Sequence, residues 1–426
     1  MIKALHTSDW HLGAQLYERD RLEEQRLFLG WLTETVKEEQ IRLLLVTGDI
    51  FDSHAPSIQA QTLYYEFLAG LLETESGRPE IIITAGNHDS PQFLNAPREI
   101  LSRLRIHVVS GMAGPEDLDR EIFEIRDEKN NPLLAVCAVP FLRERDLKIA
   151  ADPAGGDDPL LVYRRAACAH YHAAAERARA KIPGTPLVIT GHLFLGGALL
   201  SDEDSERFRE VGRLSSMPPE LLPQADYYAL GHLHRPQCVM SNECWRYSGS
   251  PIPMSFGEGN QVKSVVIAAF ENKAGRPGSP VGGPRIALKE IPRFSRLEQI
   301  KGDAADIRRR LEEISCRGES AFIDIQVTHC EGNILDFWAE IEHIQAAALE
   351  KRRPIAILAK QDMRPGIRNA VMPERFTEVA SLRPMDVFEQ KLDGEQLEGP
   401  ERETFAAMFR EIEGEVLCGG DESDED

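Results

Sequence analysis

What this 426-residue chain lacks narrows its chemistry. It contains no Cys-x-x-Cys pair, and its cysteines (Cys137, Cys168, Cys238, Cys244, Cys316, Cys330 and Cys418) are odd in number. A zinc–thiolate site and a disulfide framework are therefore not expected, and the thiols read as those of a reduced, cytoplasmic protein. No Gly-x-x-x-x-Gly-Lys-Ser/Thr phosphate loop occurs, so any ATP dependence is expected to come from a partner. No apolar run has the length of a membrane span. Met1 leads directly into the strand-like run Ile2 to Leu5, with no cationic and then apolar leader before it, so no secretory signal is expected. Basic residues are also in deficit: 49 Lys and Arg face 70 Asp and Glu, a net charge of −21. The final Asp421-Glu422-Ser423-Asp424-Glu425-Asp426 accounts for little of this, so the acidity is general. Unaided tight binding to a polyanion is not expected of such a chain, unless bound cations or a partner neutralise the phosphates.

What is present suits a globular protein of two or three domains, with 42% hydrophobic and 28% charged residues. In the first half, short apolar runs alternate with helical patterns. Leu43 to Thr47, Glu80 to Thr84, Leu133 to Val139 and Leu187 to Thr190 read as buried strands. Leu27, Phe28, Trp31, Leu32 and Val36 mark one helix face, and Leu63, Tyr64, Phe67, Leu68 and Leu71 another. This alternation predicts an α/β sandwich with helices covering sheets. A Gly- and Pro-rich stretch from Lys273 to Gly283 reads as a linker. Beyond it, a helix over Ala304 to Ile314, a strand over Ala321 to Val327, a helix over Leu335 to Leu349 and a strand over Pro354 to Ala359 predict a small α/β module. The expected organisation is a first domain over 1–272, a small module over 284–363, terminal helices over 374–417 and a disordered acidic tail over 418–426.

Several predicted strands end in abrupt polar turns: Ser8-Asp9-Trp10-His11, Gly48-Asp49, Gly86-Asn87-His88-Asp89, Gly191-His192 and Gly231-His232-Leu233-His234. In α/β sheets ligands gather at the carboxyl ends of strands, so five such turns predict one site along one edge. Asp9, His11, Asp49, Asn87, His192, His232 and His234 form a nitrogen and oxygen donor set without thiolate. Such a set suits divalent Mn, Fe, Zn or Mg in open coordination. On extended backbone, side chains two apart point the same way, so Asp9 with His11 and His232 with His234 are each expected to aim at one centre or two adjacent ones. With Asp49 bridging, one metal would take Asp9, His11, Asp49 and His234, and a second Asp49, Asn87, His192 and His232. Two adjacent metals suit in-line displacement at phosphorus. His88 remains outside the ligand set, able to protonate a leaving oxygen near neutral pH. No organic cofactor site is read.

These five motifs resemble the calcineurin-like metallophosphoesterase superfamily. Within it, His6-Thr7-Ser8-Asp9-Trp10-His11-Leu12-Gly13, Gly48-Asp49-Ile50-Phe51-Asp52, Ala138-Val139-Pro140-Phe141-Leu142-Arg143 and Gly249-Ser250-Pro251-Ile252-Pro253-Met254-Ser255-Phe256 resemble the SbcD-type nuclease family, over most of residues 1 to 270. The resemblance implies two mixed β-sheets flanked by helices, a small α/β capping domain that contacts DNA, and C-terminal helices that dock on a coiled-coil ATPase partner of SbcC type. It implies two Mn²⁺ ions on the seven ligands, His88 as catalytic histidine, and a homodimer of this chain within a heterotetramer. The implied activity is exonuclease and endonuclease cleavage of DNA ends, hairpins and protein-blocked ends in replication, recombination and repair, with no membrane role. A phosphodiesterase or phosphatase acting on another substrate is the alternative. Phosphoprotein phosphatases continue the second motif as Asp-Arg-Gly, whereas here Ser53 and His54 follow Asp52, which weakens that reading.

Other polar residues read more plainly. His54 is expected in a solvated loop, with the substrate contact that the family resemblance implies near there as the alternative, His6 as structural support for the first motif, and Asp89 as an orienting or turn residue. His170 and His172 lie two apart in the helical stretch Leu160 to Ile182 and so face different sides. Arg143 and Arg145, in a turn after a strand, admit either contact with DNA phosphates or a solvated surface. Lys351-Arg352-Arg353 reads first as a solvated face, with contact to DNA as the alternative. Leu382 to Phe388, with Phe405 and Phe409, suits either a partner surface or packing onto the first domain.

Overall fold

The structure, a computed structural model, describes residues 1–72, 78–150, 159–199, 216–271, 283–317, 320–350 and 355–363. The predicted terminal helices and tail, Lys351-Arg352-Arg353, and the segment with Leu382 to Phe388, Phe405 and Phe409 lie outside these residues.

In chain order the strands are β1 (Ile2–Thr7), β2 (Gln15–Leu16), β3 (Arg19–Asp20), β4 (Leu43–Thr47), β5 (Glu80–Thr84), β6 (Ile106–Val109), β7 (Ile122–Arg126), β8 (Pro132–Cys137), β9 (Leu187–His192), β10 (Tyr227–Gly231), β11 (Gln237–Val239), β12 (Asn242–Tyr247), β13 (Ser264–Phe270), β14 (Arg285–Glu290), β15 (Arg296–Asp303), β16 (Ala321–His329) and β17 (Ile355–Asp362). They form two six-stranded sheets, ordered β14-β13-β1-β4-β5-β6 and β11-β12-β10-β9-β8-β7, a three-stranded sheet β15-β16-β17 and the hairpin β2-β3. Both large sheets are mixed. β1, β4, β5 and β6 run parallel, as do β8, β9, β10 and β12, while β13, β14, β7 and β11 are antiparallel to their neighbours.

The period-2 alternation of strand side chains explains the layering. Leu43, Leu45 and Ile82 from the first sheet meet Leu134, Val136, Val188, Tyr227 and Ala229 from the second in a shared inner core. Leu44, Val46, Ile81 and Ile83 point outward onto α1 (Leu22–Glu38) and α2 (Ile58–Leu72). From the second sheet Ala135, Cys137, Ile189, Tyr228 and Leu230 pack outward, in the same cluster as Tyr171, Ala174 and Ala178. Those three lie on a long helix following two short ones and α5, so that α3 is Pro91–Asn95, α4 Arg98–Arg103, α5 Glu144–Ala150 and α6 Pro159–Lys181. The central strands are covered on both faces, which is why they read as continuous apolar runs. On α1 the buried stripe is Phe28, Leu29, Leu32 and Val36 with Trp31 packed at its edge, as expected except that Leu27 is 46% exposed and Leu29 takes its place.

The small module alternates β15, α7 (Ala304–Arg317), β16, α8 (Ile334–Glu350) and β17, with its three strands parallel. Ile307, Leu311 and Ile314 of α7 and Phe337 and Ile341 of α8 close its core over Ile323, Ile325 and Val327. It meets the larger body where Leu297 and Phe322 pack with Leu16 and Phe256. Arg285–Glu290, assigned to this module by the break expected over Lys273 to Gly283, instead pairs antiparallel with β13 as the edge of the first sheet. Its polar, largely exposed sequence conceals a strand whose signal lies in its partner.

Candidate metal centre

The carboxyl ends of β1, β4 and β5 in one sheet and of β9 and β10 in the other open onto the same edge of the sandwich. Asp9 and His11 follow β1, Asp49 follows β4, and Asn87 and His88 follow β5. His192 closes β9, and His232 and His234 follow β10. Hydrogen bonds between the sheets tie them together here, two of them at the donor residues themselves. His192 Nδ1 donates to the Thr47 carbonyl at 2.9 Å, and the His232 amide donates to Asp9 Oδ1 at 2.8 Å. Asp9, His11, Asp49, His192 and His234 are buried, while Asn87, His88 and His232 are partly exposed at the rim.

The pairs two apart do not converge by extended backbone, as the sequence pattern suggested. Asp9, His11, Asp49 and His232 have φ of 52°, 45°, 50° and 102°. Side chains rarely occupy this left-handed region without cost, and such strain gathers at functional sites. The reason for the turn is visible between the first pair. Trp10 is driven into the core against Phe28 and Phe67, so Asp9 and His11 must swing to the other side. Their amides are held by the next loop, Asp9 N donating to Gly48 O and His11 N to Asp49 O, both at 3.0 Å. Glycines permit the crowding: a Cβ on Gly48 or Gly231 would fall onto the His192 ring, and one on Gly86 onto Asp49.

The donor atoms form overlapping groups. Ligand atoms of Asp9, His11 and His234 lie within 4.8 Å of one another, as do those of Asp9, Asp49 and His192, and those of His11, Asp52 and His88. His11 Nε2 faces His234 Nε2 at 3.1 Å. Asp49 stands between the sets, its Oδ2 at 3.2 Å from His192 Nε2 and 3.7 Å from His11 Nε2. Asn87 Oδ1 lies 3.1 Å from His192 Nε2 and 3.0 Å from His232 Nδ1. Because His192 Nδ1 donates to a carbonyl, its Nε2 presents a lone pair to Asn87 Oδ1 and Asp49 Oδ2 unless the ring takes a second proton. Three acceptors facing one another call for positive charge among them, and this donor set fits divalent cations.

The electrostatics say the same. Burial disfavours a charge on His192, but the Asp49 carboxylate overrides it and draws the ring up to about 9. Burial likewise opposes ionisation of Asp49, and the charges of His192, His11 and His88 outweigh it, holding its carboxyl well below the usual range. Burial dominates at Asp9 and raises it, with Asp49 adding to the effect. His232 is pushed down to about 3 by burial and by neighbouring His192.

The chain is similar over most of its length to known proteins. Residues 2–196 match the family described as calcineurin-like phosphoesterase. The SbcD chain of the SbcCD nuclease from Escherichia coli strain K12 is 32% identical over 414 residues, 96% of this chain and 97% of that one. The chain belongs to the SbcD nuclease family. The SbcD chains of Rhodobacter capsulatus (40% identical, covering 68% of this chain and 72% of that one) and Bacillus subtilis (33%, covering 76% and 79%) agree. Alignment to a solved β-glucosidase from Exiguobacterium marinum, at 10% identity and a TM-score of 0.23 over 85% of this chain and 88% of that one, is too poor to indicate a shared fold.

In this SbcD-family chain several residues around the motifs brace the site. His88 donates from Nδ1 to the Asp52 carbonyl at 2.9 Å, and its amide donates to Asp49 Oδ1 at 2.9 Å. Asp52 also receives His11 Nδ1 at 3.2 Å. Asp89 accepts from the amides of Gly86, Ile50 and Phe51 at 2.8, 3.2 and 3.0 Å, stapling two loops; burial and Asp49 raise its carboxyl to about 6. His6 bridges Tyr227 and Thr47 between the sheets. His54 is exposed, and His170 and His172 turn to Glu121 and the Leu221 carbonyl.

Sequence reasoning missed three supports of the site. The Gln25 side chain, on α1, donates to the His11 carbonyl at 2.7 Å and accepts from the Gly13 amide at 3.0 Å. Glu258 Oε1 lies 3.4 Å from His234 Nδ1, and Lys263 Nζ donates to Glu258 Oε2 at 2.6 Å and to the His234 carbonyl at 2.9 Å. Burial opposes ionisation of Glu258, but His234 and Lys263 outweigh it and hold the carboxyl far below its ordinary range. The run Gly249 to Phe256 was a signal that something nearby mattered, but nothing local assigns Glu258 to His234.

Proposed function

We propose that this chain is the nuclease subunit of an SbcCD-type complex and hydrolyses DNA phosphodiesters at ends and hairpins with two Mn²⁺ ions. The observation that carries the reading is the gathering of eight motif residues from five strand ends and two sheets into one constellation, in a chain that aligns over 96% of its length with a nuclease subunit. One ion would be held by Asp9, His11, Asp49 and His234, the other by Asp49, Asn87, His192 and His232. When bound, such ions neutralise phosphate charge and activate the attacking water. Asp49 touches both sets of donors and is assigned as the bridge. His88 is assigned as the general acid. With Nδ1 committed to the Asp52 carbonyl, the proton delivered to the leaving oxygen is the one on Nε2. Asp52, Gln25 and Glu258 orient His88, His11 and His234.

The small module is assigned to DNA contact, and residues 374–417 to docking on an SbcC-type ATPase, in a heterotetramer containing two copies of this chain. The acidity of the chain supports that division, since the bound ions and a partner then supply the positive charge.

End-labelled linear and hairpin DNA, incubated with Mn²⁺ and with or without an SbcC-type partner and ATP, tests this. Mn²⁺-dependent cleavage is expected from the wild type, and cleavage roughly 10²–10⁴-fold slower from His88→Gln. Inert DNA beside rapid turnover of phosphomonoesters would move the assignment to a phosphatase.

A further inference from the structure

Arg143 stands outside the constellation but is connected to it. It lies just beyond β8 in the second sheet, and its Nη2 donates at 2.8 Å to the main-chain carbonyl of Asp89, in the loop after β5 of the first sheet. Its guanidinium carbon is 5.8 Å from the centre of the Phe141 ring. Phe141 in turn is bound to the β5 loop, its amide donating to Ala85 O at 2.8 Å, and its ring stands 6.1 Å from that of His192. Arg143 makes no ion pair with any described carboxylate, and its Nη1 is buried without a hydrogen-bond partner. Burial, together with neighbouring Arg145, disfavours its charge. A half-buried guanidinium held by one carbonyl and one ring is a costly way to fill space, and an orphaned buried donor calls for an explanation.

The explanation lies in what Asp89 does. Its carboxylate is fixed by three amides of the first sheet, at Gly86, Ile50 and Phe51. Its carbonyl is fixed by Arg143 from the second. The residue is therefore clamped at both ends between the sheets, and His88 is the residue immediately before it. The remaining ties of His88, its amide to Asp49 and its Nδ1 to the Asp52 carbonyl, both belong to the first sheet. His192 and His232 belong to the second.

We propose that Arg143 is a positioning residue for His88: by holding the Asp89 carbonyl it sets the His88-Asp89 turn of the first sheet against the ligands carried by the second. This rests on His88 as proton donor. In that step the attacking water loses one proton to solvent as its oxygen bonds phosphorus, the phosphorus–oxygen bond to the leaving group breaks, and the proton on His88 Nε2 passes to the leaving oxygen. A displaced His88 slows departure of a poor leaving group and hardly affects a good one, which leaves as the anion.

The test uses the full chain with Mn²⁺ and two esters of thymidine 5′-monophosphate, phenyl and p-nitrophenyl, alike in shape but differing in leaving group. For Arg143→Ala and Arg143→Lys, kcat on the phenyl ester is expected to fall at least ~10-fold, with the p-nitrophenyl ester within ~3-fold of wild type, in the direction of lost acid catalysis. Mn²⁺ stoichiometry and binding of a non-hydrolysable duplex DNA to the Mn²⁺-loaded chain should not change. His88→Gln should show the same split, larger. Should Arg143→Ala fail to fold, Arg143→Lys carries the test, because a compact ammonium keeps the charge but not the fork that spans carbonyl and ring. Equal losses on both esters, wild-type rates on both, or weakened DNA binding with unchanged ester ratio would each overturn the proposal. If His88→Gln itself loses equally on both esters, the general-acid reading fails first; if only the Arg143 variants do, that reading stands and the Arg143 role falls.

Discussion

Asp49 and His88 are adjacent in space and joined by a hydrogen bond, yet their substitution should fail differently. Asp49→Asn removes the carboxylate oxygen that lies 3.2 Å from His192 Nε2 and 3.7 Å from His11 Nε2, so both ions should be lost together. Isothermal titration with Mn²⁺ should then show no high-affinity site, whereas His88→Gln should retain two. One retained site in Asp49→Asn would remove the bridging role. His6 allows a prediction about stability. Burial holds its ring neutral down to about 3, while an unfolded histidine titrates near 6.5. As pH falls below 6.5 the unfolded chain takes up a proton that the folded chain refuses, so the folded state loses about 2 kcal/mol between pH 6.5 and 5 from this group alone. His6→Asn should be less stable than wild type at pH 7.5, for want of the bridge from Tyr227 to Thr47, but should lose less on acidification. Urea unfolding at pH 7.5, 6.5 and 5 gives the comparison, and parallel curves would show that His6 does not titrate in this way.

The strand-end loops depend on glycine where two loops touch. A Cβ at Gly86 would occupy the space of the Asp49 carboxylate and amide. Gly86→Ala should therefore lower Mn²⁺ affinity at least ~10-fold and destabilise by about 1–3 kcal/mol, as overpacking of close contacts does. Gly30 makes the contrast: it lies mid-helix on the exposed side of α1, with nothing within 4 Å of an added Cβ. Gly30→Ala should stabilise by about 0.5–1 kcal/mol and leave metal binding alone. Differential scanning fluorimetry with and without Mn²⁺ reads both. The four strands Leu43–Thr47, Glu80–Thr84, Pro132–Cys137 and Leu187–His192 were legible because the sandwich covers both their faces. β14 was not, because an edge strand with one face to solvent carries little apolar signal and takes its conformation from pairing with β13.

For the whole molecule, the centre is a junction between two sheets, so cations bound there should stabilise the sandwich itself. A ligand at 100 times its dissociation constant contributes about 2.7 kcal/mol to the folded state. Mn²⁺ should raise Tm by several degrees, EDTA should reverse the rise, and Asp49→Asn should abolish it while His88→Gln keeps it. A Tm indifferent to Mn²⁺ in the wild type would mean that the sheets do not depend on the ions. Among the described residues no helix is long and apolar enough to cross a membrane.

The sequence by itself determined which polar residues stand together at the strand ends. Polar donors placed immediately after buried strands can only sit at the mouths of those strands, and strand burial is written locally in apolar runs. It could not determine how the donors meet. Asp9 and His232 are 223 positions apart, and their contact follows from the packing of one sheet upon the other. The left-handed turns at Asp9, His11, Asp49 and His232 were likewise hidden, because they arise from Trp10 seeking the core and from glycines yielding room across a loop–loop contact. Gln25, Glu258 and Arg143 brace the site from distant segments. Only the tertiary structure assigns them, since a hydrogen bond between residues far apart in the chain leaves no periodicity or spacing in the sequence.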